Sequence, residues 1–94
     1  MIVEVDNKKY KLIENVRDAF NEEEFLNRYT SFYEVYDFIV GDIAYSKLRL
    51  KGFNNKTNRT FNKFNDYSKV EKYIKENCAY GCKYFVLERV KETK

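Results

Sequence analysis

Polar and apolar positions along the chain change period several times, and each change marks an element. MIVEV alternates weakly and is β-branched, which predicts a strand. Asp6 and Asn7 in DNKK suit a turn, and YKLIENV resumes strand character, so the chain should open with a hairpin. The spacing then becomes helical. Phe25, Tyr29, Phe32 and Tyr36 fall at i, i+4, i+7 and i+11, one stripe of a helix. Asn21 is a suitable N-cap, and Glu22, Glu23 and Glu24 occupy the first turn, where the helix dipole favours anions. This triplet reads as a solvated helix start. Thr30 and Ser31 are positions where the helix can break in two.

Asp37 to Ile43 predicts a buried strand, in which Gly41 suggests a bulge or a close approach. Ser46 to Phe53 alternates cleanly, with Leu48 and Leu50 on one side and Lys47, Arg49 and Lys51 on the other. It should pair antiparallel with the strand before it, turning around residues 42–45. The stretch NNKTNRTFNKFN is rich in Asn and Thr and reads as a loop, flexible over 54–60, with a short extended piece at 60–64. DYSKVEKYIKENC predicts a second helix, with Ser68 and Glu71 at capping-box spacing, an apolar stripe of Val70, Tyr73, Ile74 and Cys78, and Gly81 as its stop. KYFVLERV is a final strand, and 91–94 a frayed tail. The expectation is one α+β domain over 1–94, in the order β-β-α-β-β-α-β. Its sheet is mainly antiparallel with about five strands, and two main helices accompany it.

Composition narrows the chemistry. Ninety-four residues make one domain, and seventeen Phe and Tyr predict an aromatic core. No run is long enough to span a membrane, and the N-terminus lacks the layout of a signal peptide, so a cytoplasmic protein is expected. The chain has no histidine, which removes the usual general base and the commonest zinc ligand. The glycines fit no phosphate loop. Asp37 and Asp42 flank the buried strand as a possible carboxylate pair, but nothing nearby completes a site, and structural roles fit them better. Cys78 and Cys82 are spaced neither as C-x-x-C nor as a full zinc set. They read as two core thiols at a helix–strand junction, with a thiol switch as the sharper alternative. No cofactor, no metal and no enzymatic activity are expected.

Charge is uneven. Residues 1–45 hold five Lys/Arg and ten Asp/Glu, and 46–94 hold thirteen and five. The block 46–65 carries Lys47, Arg49, Lys51, Lys56, Arg59 and Lys63 with no acid. Tyr45, Phe53, Phe61 and Phe64 are interleaved with these cations, a combination suited to base stacking plus phosphate contact. Lys47, Arg49, Lys51, Lys56, Arg59, Lys63, Tyr45 and Phe53 are therefore the candidate nucleic-acid-binding residues. The leading expectation is a non-enzymatic binding domain that contacts RNA or an RNA–protein assembly through this strand and loop. The alternative is a protein–protein adaptor without nucleic-acid contact, and a third is a cysteine-based redox or metal switch. A solvated sheet face, neutralised by the acidic half of the chain, is the plain reading of the same charges. Oligomeric state is not encoded in any of these features.

Three blocks carry a resemblance. Phe20, Asn21, Glu22, Glu23, Phe25, Arg28 and Tyr29 fit F-N-E-E-x-F-x-x-R-Y. A second block runs from Tyr36 and Asp37 through Ile39, Val40, Gly41, Asp42, Tyr45, Leu48, Arg49 and Leu50 to Gly52 and Phe53. Cys78, Gly81, Cys82 and Tyr84 to Leu87 fit C-x-x-G-C-x-Y-F-V-L. Together they resemble the YutD-like family, small proteins of low-GC Gram-positive bacteria. The resemblance implies a compact α+β domain in the bacterial cytoplasm. It marks Gly41, Asp42, Arg49, Gly52, Cys78, Gly81 and Cys82 as motif residues without assigning them roles. Where the family pattern carries Trp-Gly after Gly-Asp, this chain has Ile43 and Ala44.

Overall fold

A computed structural model describes residues 1–77 and 81–91. Five strands and two helices occur in the expected order: β1 (Ile2–Val5), β2 (Lys8–Val16), α1 (Glu22–Arg28), β3 (Phe38–Ala44), β4 (Lys47–Phe53), α2 (Val70–Asn77) and β5 (Tyr84–Arg89). A 3-10 turn over Ser31–Val35 follows α1, and another over Tyr67–Lys69 leads into α2. All strands pair antiparallel in one sheet of order β1-β2-β5-β3-β4. The last strand thus lies in the middle, between two hairpins that precede it in the chain.

Both hairpins close on two-residue loops with left-handed backbone, Asp6–Asn7 and Tyr45–Ser46. The twist of such turns matches that of the flanking strands. Strand alternation then sorts the apolar residues into two cores. On one face α1 contributes Phe25, which packs with Tyr29, Tyr10, Ile39, Leu48, Phe85 and Leu87. On the other face Val70 of α2, backed by Tyr67, Tyr73 and Ile74, meets Phe38, Val40, Phe53 and Val86. The expected aromatic core is real: Phe20, Phe25 and Phe85 meet edge to face or tilted, and Phe38 stacks on Tyr67 at 3.6 Å.

Several local expectations change. The α1 stripe stops early, because Tyr29 and Thr30 turn extended and end the helix after Arg28. Phe25 and Tyr29 remain inside, while Phe32 is carried out to 64 % exposure. The cap before α2 is Asp66, whose carboxylate accepts from Ser68 N at 3.0 Å, rather than Ser68 itself. β3 contains no bulge. The close approach expected as the alternative at Gly41 holds: the missing side chain leaves room for the Phe85 ring across the ladder. The irregularity lies in β2, between Leu12 and Glu14.

The Asn-rich segment has more internal bonding than its composition suggested. Asn54 is fully buried, its amide oxygen accepting from Asp37 N and its amide nitrogen donating to Thr60 Oγ1, both at 2.9 Å. Asn58, Asn62 and Asn65 add further side-chain bonds, and residues 60–64 form turns rather than an extended piece. Every buried side-chain polar atom among the described residues has a partner.

Burial has one consequence for pH. Tyr10, Tyr33, Tyr67, Tyr73 and Tyr84 are all held above the usual tyrosine range, in each case chiefly by burial. For Tyr10 the hydroxyl contact with Tyr29 at 3.0 Å adds to the effect. The unfolded chain ionises its tyrosines near pH 10 while the native chain keeps these protons, so the stability they support is present below pH 10 and falls above it. Thermal unfolding should therefore show a midpoint that is steady below about pH 10 and drops progressively above it. A Tyr10→Phe variant should show a shallower drop.

Candidate functional site

The basic segment forms β4, an outer strand of the sheet. Its alternation is as expected: Leu48, Leu50 and Gly52 face the α1 side, and Lys47, Arg49, Lys51 and Phe53 face the α2 side. α2 covers only part of that side, and this decides what each cation can do.

Arg49 is committed to the fold. It lies directly across the ladder from Asp42 and donates two bonds to that carboxylate, from Nε at 2.9 Å and from Nη2 at 2.7 Å. Nη2 also donates to the Asn77 carbonyl at the C-terminal end of α2, where the helix dipole favours a cation. Asp42 is 3 % exposed, and its bond holds Arg49 above the usual arginine range. Lys51 places Nζ 5.3 Å from the Phe53 ring centroid and 5.7 Å from that of Tyr73. Lys47 is exposed and enters no ion pair among the described residues. The acidic half thus answers one of the three cations, through Asp42 alone.

The remaining candidates scatter. Phe53 is 2 % exposed and belongs to the α2-side core, so its ring is not offered to a base. Tyr45 is 99 % exposed at the hairpin tip. Lys56 and Arg59 are exposed in the Asn-rich segment, and Lys63 Nζ lies 5.2 Å from the exposed ring of Phe64. Asp37 and Asp42 do not make a carboxylate pair. They are five positions apart, roughly 16 Å along an extended chain and on opposite faces. Asp37 instead accepts from Asn55 N at 2.9 Å and faces Lys91 at 3.4 Å. Cys82 is not a free thiol, against the expectation for the cysteines, and Cys78 lies outside the described residues. No group of His, Cys, Asp and Glu suited to a metal occurs among the described residues.

The sequence reading missed two concavities along β4. One, of about 470 Å³, is lined by Phe32 and Tyr36 from the α1 side, by Lys51 and Tyr73 from the α2 side, and by Phe64 of the Asn-rich segment. The other, of about 650 Å³, runs past Tyr45, Lys47 and Leu48 to Leu50. Both contain residues from the two sides of the sheet, so the outer margin of β4 lies within them. Exposed Phe32 and Phe64 were the available signal, but a helical stripe placed Phe32 inside.

Tyr45 and Ser46 have φ of 52° and 62°. Asn-Gly is the favoured pair for such a turn, and an aromatic residue in the left-handed region is strained. Replacing Tyr45→Asn together with Ser46→Gly should raise stability by about 1 kcal/mol and the melting temperature by roughly 4–8 °C. Differential scanning calorimetry would check this, and an unchanged or lowered midpoint would contradict it.

The fold and its motif residues define a small α+β domain of one family. The family model described as "Putative antitoxin YutD-like" matches residues 4–88, and the chain belongs to the YutD-like family. It is 42 % identical over 88 residues to a Bacillus subtilis (strain 168) protein described as "Putative antitoxin YutD", covering 94 % of this chain and 97 % of that one. The solution NMR structure of protein yutD from B. subtilis superimposes with a TM-score of 0.82 at 39 % identity, covering all of this chain and 86 % of the other. In the motif's Ile43–Ala44 step, Ile43 packs against the α1-side core. No helix among the described residues is long and apolar enough to cross a membrane.

Proposed function

We propose that this chain is a non-enzymatic domain that binds a protein partner, which is what an antitoxin acting on a protein target would require. The observation that carries this reading is the surface along β4. Phe32, Tyr45 and Phe64 are 64 %, 99 % and 74 % exposed around two concavities, and large exposed aromatics grouped in this way are typical of interaction sites. The buried carboxylates support it as well, since Asp37, Asp42 and Asp66 all serve the fold. RNA contact is the weaker reading, because Arg49 is engaged by Asp42 and Phe53 is in the core.

The test is affinity capture from cells that express the chain natively, with and without nuclease. A protein complex that survives nuclease and about 0.5 M salt is expected. A capture that dissolves on nuclease treatment would overturn the proposal. So would tight binding of single-stranded RNA at about 50 mM salt with a steep salt dependence.

A further inference from the structure

We propose, building on that reading, that β4 accepts an extended segment of the partner as a sixth strand, and that this segment alternates acidic and apolar residues. The tight turn at Tyr45–Ser46 makes Ala44 and Lys47 the first hydrogen-bonded pair of the β3–β4 hairpin. Alternation then directs the backbone groups of Arg49, Lys51 and Phe53 at β3, and those of Leu48, Leu50 and Gly52 away from the sheet. No turn, loop or side-chain hydrogen bond from the described residues reaches the latter three. The two concavities follow this same margin from Leu48 to Gly52, leaving space for another strand there; the open stretch ends at Asn54, whose backbone pairs with Asn65 and Tyr67.

The chemistry of the guest follows from the register. Residues facing each other in neighbouring strands share a face. Guest side chains on the α2 side would meet Lys47 and Lys51, and Asp or Glu would suit them. Those on the α1 side would meet Leu48, Leu50, Tyr36 and Phe32, and apolar residues would suit these. Tyr45, exposed and strained at the strand's entry, is placed to pack on the guest's end. Strain held at such a position points to a role outside the fold. A second copy of this chain is disfavoured as the guest, because pairing β4 with itself sets cations against cations. At the opposite margin, β1 is only four residues long and presents Glu4, so it is the poorer acceptor for an acidic strand.

The probe is the blocked heptapeptide Glu-Val-Glu-Val-Glu-Val-Glu, matching the seven residues of β4. Amide NMR and hydrogen exchange should show it protecting Leu48, Leu50 and Gly52. The peptide N-methylated at alternate residues should lose that protection, because its backbone no longer pairs. Lys47→Glu with Lys51→Glu should weaken binding about tenfold or more and reverse the preference towards a Lys-Val heptapeptide. Arg49 is left intact because it supports the fold. Absence of binding at about millimolar peptide, or protection centred on β1, would overturn the inference. Photo-crosslinkers at Tyr45 and at Leu26, which is exposed on α1, separate this failure from that of the protein-binding reading. Protein capture from Leu26 alone would sink strand addition and leave protein binding standing. Capture of RNA alone would sink both.

Discussion

Gly41→Ala is expected to lower the unfolding free energy by about 3 kcal/mol or more, among the largest effects of any single methyl group added to this chain. A Cβ at Gly41 would overlap the outer end of the Phe85 ring, 2.2 Å from Cζ, 2.4 Å from Cε2 and 2.8 Å from Cε1. Phe85 cannot retreat. It is 1 % exposed and held edge to face by Phe20 and Phe25. β3 and β5 are both interior strands, so the backbone cannot move aside without breaking two ladders. Gly52→Ala makes a comparable overlap at the root of the Tyr36 ring, but that side chain is only half-buried and β4 is an outer strand free to shift, so a smaller loss of about 1–3 kcal/mol is expected there. Urea unfolding of Gly41→Ala, Phe85→Leu and the double variant would test the cause. The double variant should be less damaged than the sum of the singles by about 1 kcal/mol or more. A Gly41→Ala protein within about 1 kcal/mol of its parent would refute the packing argument.

Arg49→Met should cost about 2–3 kcal/mol, although Arg49 sits on a strand whose neighbour Lys47 can be changed to Met within roughly 0.5 kcal/mol. The difference lies in what is left behind. Removing Lys47 strands nothing, whereas removing Arg49 leaves the Asp42 carboxylate buried at 3 % exposure without its two charged bonds. The figure is below that for a fully buried pair because the Arg49 side chain is 47 % exposed, and solvent already weakens the attraction. The bond to the Asn77 carbonyl is lost as well, so the end of α2 should fray first. Asp42→Val with Arg49→Leu should recover much of the loss, since no charge is then left buried. Denaturant unfolding of the four proteins would show this, and a double variant worse than Arg49→Met would contradict it. Charge reversal at Arg49 is accordingly a poor probe of binding.

The elements were readable in the sequence because they depend on local period and turn chemistry. Asp6–Asn7, Asn21 and the alternation of 46–53 all carry that information within a few residues. The sheet order was not readable, since the position of β5 between β2 and β3 depends on pairings across more than forty residues. The site was readable only in part. The cationic face of β4 was visible, but not which length of it α2 would cover. That coverage separates Phe53 and Arg49, which serve the fold, from Lys47 and Tyr45, which face solvent. Phe32 was misplaced for a similar reason: a seven-residue helix ended before the stripe did. Asn54 resembled its loop neighbours in sequence, and only the junction between Asp37 and Thr60 explains its burial.

The central position of β5 also bears on how the domain comes into being. Neither hairpin, β1–β2 or β3–β4, touches the other in the sheet, and each lacks its inner neighbour until residues 84–89 arrive. During synthesis the earlier segments have no route to the finished structure, because Phe85, Val86 and Leu87 supply the middle of both cores. Completion of the sheet must therefore follow translation of residues 84–89. A nascent chain stalled or clipped before Tyr84 would hold two apolar hairpins with open inner margins, a form prone to capture by proteases or by other chains.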